Sequence, residues 1–191
     1  MTTEQKIGQL WLIPAEGGKI STSLKEAVVS GQIGGIFNEV DSSIINELQK
    51  LAINESVNKI PLLMGRDIIH GFKTVFPVPI GLASTWNPEL VEMCAGISAM
   101  EASNIGINWT FAPMVDVTRD PRWGRVAESF GEDAYLCSVF AEAMVLGLQG
   151  NDLSESGRIG ACVKHFAGYG ASEGGKDYNT TNIPENELRN I

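Results

Sequence analysis

Short apolar runs without polar alternation constrain this chain most. Ile33–Phe37 (IGGIF), the run LLMGRD that follows Pro61 and ends in Asp67, Ile107–Ala112 (INWTFA) and Arg158–Phe166 (RIGACVKHF) carry charge only toward their ends. A strand that is apolar on both sides is buried on both sides, as in a parallel sheet. Helical patterns separate the runs. Ser21–Val29 is stopped by Ser30 and Gly31, and Asp41 caps a helix to about Asn58 with Ile44, Ile45, Leu48, Leu51, Ala52 and Ile53 on one face. Pro88 opens a helix to about Ser103, another covers about Ala134–Leu148, and Pro184 opens a last one. Thr2 and Thr3 ahead of Glu4 and Gln5 start a helix over Met1–Leu12 that ends near Pro14. The alternation predicts an α/β fold with parallel strands and covering helices. With four or five strands it is part of a (β/α) barrel, which takes eight strands and about 250 residues when closed.

Composition narrows the function. Fourteen basic residues stand against 23 acidic ones, a net charge of −9, so no concentrated cationic face is available for nucleic acid. A neutral or polyhydroxyl ligand suits this balance better. No apolar run approaches the roughly 20 residues of a membrane helix, so no membrane partner is expected. No GxGxxG follows the first strand and no GxxxxGK[ST] occurs, which removes the main support for a nucleotide fold. Cys94, Cys137 and Cys162 are widely spaced without a CxxC pair and read as buried free thiols. Neither a metal nor a cofactor is expected.

Polar groups gather at strand ends. Beyond Pro113 a loop holds Asp116, Arg119, Asp120, Arg122, Arg125 and Glu128, six charges in thirteen residues. Three guanidiniums among three carboxylates can form bidentate pairs that fix a loop, either as a structural corner or as a site. Asp67 ends one strand, and Lys164 and His165 end another; such ends converge at the catalytic face of a barrel. A carboxylate such as Asp67 accepts from vicinal hydroxyls, while Arg125, Lys164 and His165 donate to others. Lys164 and His165 are sequential, so both face one ligand only if the backbone leaves strand geometry there. Trp123 or Trp86 offers a ring face for a sugar, whereas Trp109 reads as core.

Four ordered stretches, GRDIIHG, TVFPVPIGLASTWN, APMVDVTRDPRWGRVAESFGED and KHFAGYGASEGGKDYNTT, resemble glycoside hydrolase family 3, in particular its bacterial periplasmic β-glucosidase branch. The resemblance covers essentially the whole chain. It implies that residues 1–191 are a partial N-terminal TIM-like barrel domain of a longer, periplasmic or extracellular hydrolase. It also implies that Asp67, Arg125, Lys164 and His165 bind sugar hydroxyls in the −1 subsite, with His70 a structural neighbour. Hexosaminidases of the family carry an Asp–His dyad in the loop after Lys164–His165. The loop here has no histidine, which favours a β-glucosidase or β-xylosidase. The family's nucleophile and acid/base lie beyond Ile191, so the isolated chain is expected to be inactive, with Glu128, Glu132, Asp133, Glu173 and Asp177 in structural duty. The expected partners are a β-glucoside or other small saccharide and the remainder of the parent enzyme. Two rivals stay open: a carbohydrate-binding half-barrel that completes itself as a homodimer, and an aldolase-type barrel with Lys164 as Schiff base.

Overall fold

A computed structural model describes residues 1–191. The chain divides into two compact units, Met1–Asp67 with Ala102–Thr110, and Ile68–Glu101 with Phe111–Ile191.

The first unit is a parallel sheet with helices. Strands β1 (Leu12–Pro14), β2 (Gly35–Phe37), β3 (Leu63–Arg66) and β4 (Trp109–Thr110) lie in the order β1-β2-β3-β4, all parallel. Sequential order is the order of a barrel wall; a doubly wound sheet reverses direction at a switch point. Its helices are α1 (Thr3–Gly8), α2 (Thr22–Val29) and α3 (Ser42–Lys50), the last continued by a π-helical turn over Leu51–Glu55. Each N-terminus has a side-chain cap. Thr2 and Gln5 form a reciprocal capping box, Ser21 accepts from the Leu24 N–H, and Asp41 accepts from those of Ser43 and Ile44.

Registry places Ile13, Ile36 and Met64 side by side across β1–β3. Ile36 and Met64 are buried in one cluster with Leu24 and Val28 of α2, Ile45 and Leu48 of α3, and Leu51 and Ala52. Each such side chain contributes roughly 1.5–3 kcal/mol relative to exposure. Two amides then fix β3 along its length. Gln49 accepts from the Leu62 N–H and donates to its carbonyl, both at 2.9 Å. Asn108 accepts from the Met64 N–H at 2.8 Å and donates to the Leu62 carbonyl at 3.2 Å.

One expectation fails here. The opening helix stops at Gly8 and does not run on toward Pro14; Leu12–Pro14 is a strand paired with Gly35–Phe37. At its end the helix packs closely on the segment before β2, since a Cβ on Gly8 would lie 2.3 Å from the Gly31 carbonyl oxygen. A three-residue strand is too short to show periodicity, so tertiary pairing decides it.

The second unit carries α4 (Pro79–Ala83), α5 (Pro88–Ser103), α6 (Ala134–Gln149) and α7 (Glu185–Asn190). Glu101 of α5 ties down the preceding loop, accepting from the Lys73 and Thr74 N–H groups at 2.8 Å and from the Thr74 hydroxyl at 2.6 Å. Asp133 caps α6 through the Leu136 N–H. Phe130 and Phe140 stack at 5.6 Å inside the unit. The strand expected over Arg158–Phe166 is reduced to isolated bridges at Gly160 and at Lys164, the latter parallel to Met114. It keeps three hydrogen bonds, from Cys162 N to Ala112 O, Lys164 N to Pro113 O and Val115 N to Lys164 O. Pro113 has no N–H to continue the ladder. The three cysteines are free thiols, with Cys94 and Cys137 buried and Cys162 half-buried.

Helices α5 and α6 meet closely at Gly147, where a Cβ would lie 2.2 Å from the Glu92 carbonyl oxygen and 2.7 Å from the Ala95 Cβ. At Gly96 the nearest atom would be 3.5 Å away, an ordinary contact. Gly147→Ala is therefore expected to destabilise the protein by about 1–3 kcal/mol through overpacking. Gly96→Ala should stabilise it by about 0.5–1 kcal/mol through helix propensity. Urea unfolding of the two variants beside the parent protein checks both signs.

Candidate active site

The ladder between residues 112–115 and 162–164 sets Lys164 beside Met114 and carries His165 to Asp116. The Lys164–His165 peptide is cis, and neither residue lies within a strand. Asp116 is 6% exposed. Its Oδ2 accepts from the His165 N–H at 3.2 Å and lies 2.6 Å from His165 Nδ1. A carboxylate oxygen accepts, so Nδ1 is the ring atom that donates to Asp116, and Nε2 is the one left to face Arg125.

Arg125 is anchored from the other direction. A 3-10 turn, Val126–Glu128, brings Glu128 back on the guanidinium. Nε donates to Oε1 at 2.7 Å and Nη2 to Oε2 at 2.6 Å, a bidentate pair. Nη1 faces His165 Nε2 at 3.4 Å and the Tyr169 hydroxyl at 3.5 Å, and the guanidinium carbon lies 5.4 Å from the Tyr169 ring centre. The Arg125 hydrogen bonds hold the Glu128 carboxyl below its ordinary range against the opposing effect of burial, and the charges of Lys164 and His165 lower it further. Glu128 in turn pushes the Arg125 guanidinium up.

Behind these donors lies a third layer. The Tyr169 hydroxyl donates to Asp177 Oδ1 at 2.7 Å, and the Trp123 indole N–H donates to the same oxygen at 2.9 Å. The Tyr169 ring meets His165 edge-on at 4.5 Å and Trp123 at 5.3 Å.

The second unit thus brings Arg125 and His165 together, with Lys164 adjacent to His165 in the chain and its charge acting on Glu128. Asp67 directly follows β3 in the first unit, where it is exposed at the strand's C-terminal end. The six loop charges are paired, though not all with one another. Arg122 chelates Asp120, pulling its carboxyl down to about 2, while Arg119 reaches Glu187 of α7 at 3.0 Å. Trp123 is not a stacking surface for sugar: it is 2% exposed, with its N–H engaged. Trp109 is only half-buried, and Trp86 is 76% exposed. His70 faces the Phe76 carbonyl at 3.2 Å, a structural contact. Asp116 was legible only as one loop charge among six. Tyr169 and Asp177 had no signal beyond lying in a glycine-rich loop, because their partners are distant in sequence.

The Glu128 carboxyl titrates below its ordinary value of 4.5, so its contribution to stability is complete above that pH. It is lost as pH falls through the lower folded-state value. Glu128 is 29% exposed at the side chain, which limits the effect to about 1 kcal/mol. Glu128→Gln is expected to lower stability by that amount at pH 7 and to flatten the decline below pH 4.5. Denaturant titrations at pH 7 and at acid pH check it.

Comparison with known proteins places this geometry. The sequence profile described as Glycosyl hydrolase family 3 N terminal domain matches residues 2–191. A periplasmic β-glucosidase of Salmonella typhimurium is 46% identical over 190 residues, covering 100% of this chain and 25% of that protein. A putative β-xylosidase of Formosa agariphila is 33% identical over 98% of this chain and 28% of its own. Among solved structures, β-glucosidase from Listeria innocua in complex with isofagomine superposes with a TM-score of 0.86 at 38% identity, over 99% of this chain and 27% of that one. A mutant of that enzyme in complex with laminaribiose gives 0.89 at 37% identity, with 99% and 28% covered. The chain therefore spans about a quarter of the length of the relatives it matches. In those β-glucosidases the N-terminal domain is a TIM-like barrel, and the four parallel strands found here are part of that architecture. By sequence and by structure alike, this chain belongs to glycosyl hydrolase family 3, matching its N-terminal domain.

Proposed function

We propose that residues 1–191 form part of the N-terminal barrel domain of a longer retaining β-glycosidase that releases terminal β-linked glucose or xylose. In this reading Arg125, Lys164 and His165 of the second unit hold hydroxyls of the sugar in the −1 subsite. The observation that carries it is the double anchoring of adjacent side chains. Arg125 is clamped by Glu128 and His165 by Asp116, while the two side chains lie 3.4 Å apart. A neutral polyhydroxyl ligand offers no charge to grasp, so recognition rests on several hydrogen-bonding groups fixed in direction beforehand. An arginine held on one edge keeps its remaining N–H groups aimed, and the bond strengthens because the donor is charged.

The relatives support the chemistry, since those named above are β-glucosidases and a β-xylosidase. The periplasmic relative supports a periplasmic or extracellular location for the parent protein. No helix here is long and apolar enough to cross a membrane. Retention uses a nucleophilic and an acid/base carboxylate about 5–5.5 Å apart. The carboxylates around Arg125 are already engaged: Glu128 by the guanidinium, Asp116 by His165 and Asp177 by Trp123 and Tyr169. In this reading both reacting carboxylates come from the remainder of the parent enzyme, and the part of this chain is to orient the sugar so that its anomeric carbon meets the nucleophile.

Two measurements test this. The purified 191-residue chain is expected to show no turnover of an aryl β-glucoside; turnover that Asp67→Ala abolishes overturns the assignment. In the longer enzyme, Arg125→Ala should lower kcat/KM about 10–100-fold, the loss of one charge-assisted hydrogen bond to substrate.

A further inference from the structure

The sugar-facing role assigned to Arg125 and His165 leaves unexplained a second set of polar contacts behind them. Asp177 Oδ1 collects two donors, the Trp123 indole N–H at 2.9 Å and the Tyr169 hydroxyl at 2.7 Å. Trp123 is buried and cannot shift without opening the core. The loop therefore hangs from a fixed point.

We propose that Tyr169 and Asp177 are positioning residues, a strut that fixes where the Arg125 guanidinium and the His165 imidazole point; this rests on the sugar-binding reading above. The Tyr169 hydroxyl donates its hydrogen bond to Asp177, so the Tyr169 oxygen turns its lone pairs outward, and Arg125 Nη1 lies 3.5 Å from it. The phenol thus acts as an acceptor toward the arginine because the carboxylate behind it accepts its only proton. Its ring also borders the imidazole at 4.5 Å and lies 5.4 Å from the guanidinium carbon. One side chain therefore limits the swing of both donors. Hydrogen bonds from Trp123 and Tyr169 hold the Asp177 carboxyl below its ordinary range, with the Arg125 charge adding, which favours the form that only accepts. Glu128 sets the guanidinium's outer edge. The strut sets the Nη1 corner, and an arginine held at one edge alone still rocks.

The test uses the longer enzyme and an aryl β-glucoside, with Tyr169→Phe, Asp177→Asn, Arg125→Lys, Arg125→Ala and the double variant Tyr169→Phe/Arg125→Lys. Tyr169→Phe and Asp177→Asn should each lower kcat/KM about tenfold, with thermal midpoints close to the parent's. The double variant should lose no more than Arg125→Lys alone, because the strut acts through that arginine. If losses in the double variant multiply, the strut acts on general packing and the inference is overturned. If Arg125→Ala impairs turnover while both strut variants stay within twofold of the parent, the inference fails and the sugar-binding reading stands. If Arg125→Ala leaves turnover intact, that reading fails and the strut falls with it. Should Asp177→Asn not fold, Tyr169→Phe, which keeps the ring and its packing, decides the matter alone.

Discussion

A single buried carboxylate organises the second unit. Asp116 accepts from both the backbone and the ring of His165, and it stands immediately after the short ladder that joins residues 112–115 to 162–164. A desolvated carboxylate without partners costs several kcal/mol, so the segment bearing His165 has one favourable place to lie. With that placement comes the direction of the imidazole Nε2. The guanidinium of Arg125, clamped by Glu128, then meets the imidazole from the opposite side.

The loop charges separate into two kinds when followed to their partners. Arg122 with Asp120 is a chelate between near neighbours whose arginine is 74% exposed, and it stiffens the turn at little energetic consequence. Arg119 with Glu187 is likewise half-exposed and fastens α7. The Arg125–Glu128 and His165–Asp116 pairs are less accessible, and their partners confine donors that a ligand would meet. Equal charge density along the sequence thus hides unequal roles, and depth below the surface is what separates them.

Burial also reassigns the aromatic residues. A tryptophan in a charged loop reads as an exposed ring face, yet Trp123 is inside, spending its N–H on Asp177. Indole is large enough that covering it is favourable, provided its one donor finds an acceptor. A residue 54 positions away supplies that acceptor, which no local pattern reports.

The sequence by itself determined the α/β class, the helix starts at Thr2, Ser21, Asp41 and Asp133, and the grouping of Arg125, Lys164 and His165 as a candidate site. Caps and apolar runs are local physics, legible within a turn or a strand. Tertiary structure decided that Leu12–Pro14 is a strand, that the Arg158–Phe166 run keeps only isolated bridges, and that Trp123 is buried. It also decided which carboxylate holds which cation, pairing Asp116 with a residue 49 positions away. The reason is the same in each case: pairing and desolvation depend on neighbours brought close by the fold, and sequence spacing does not encode that distance.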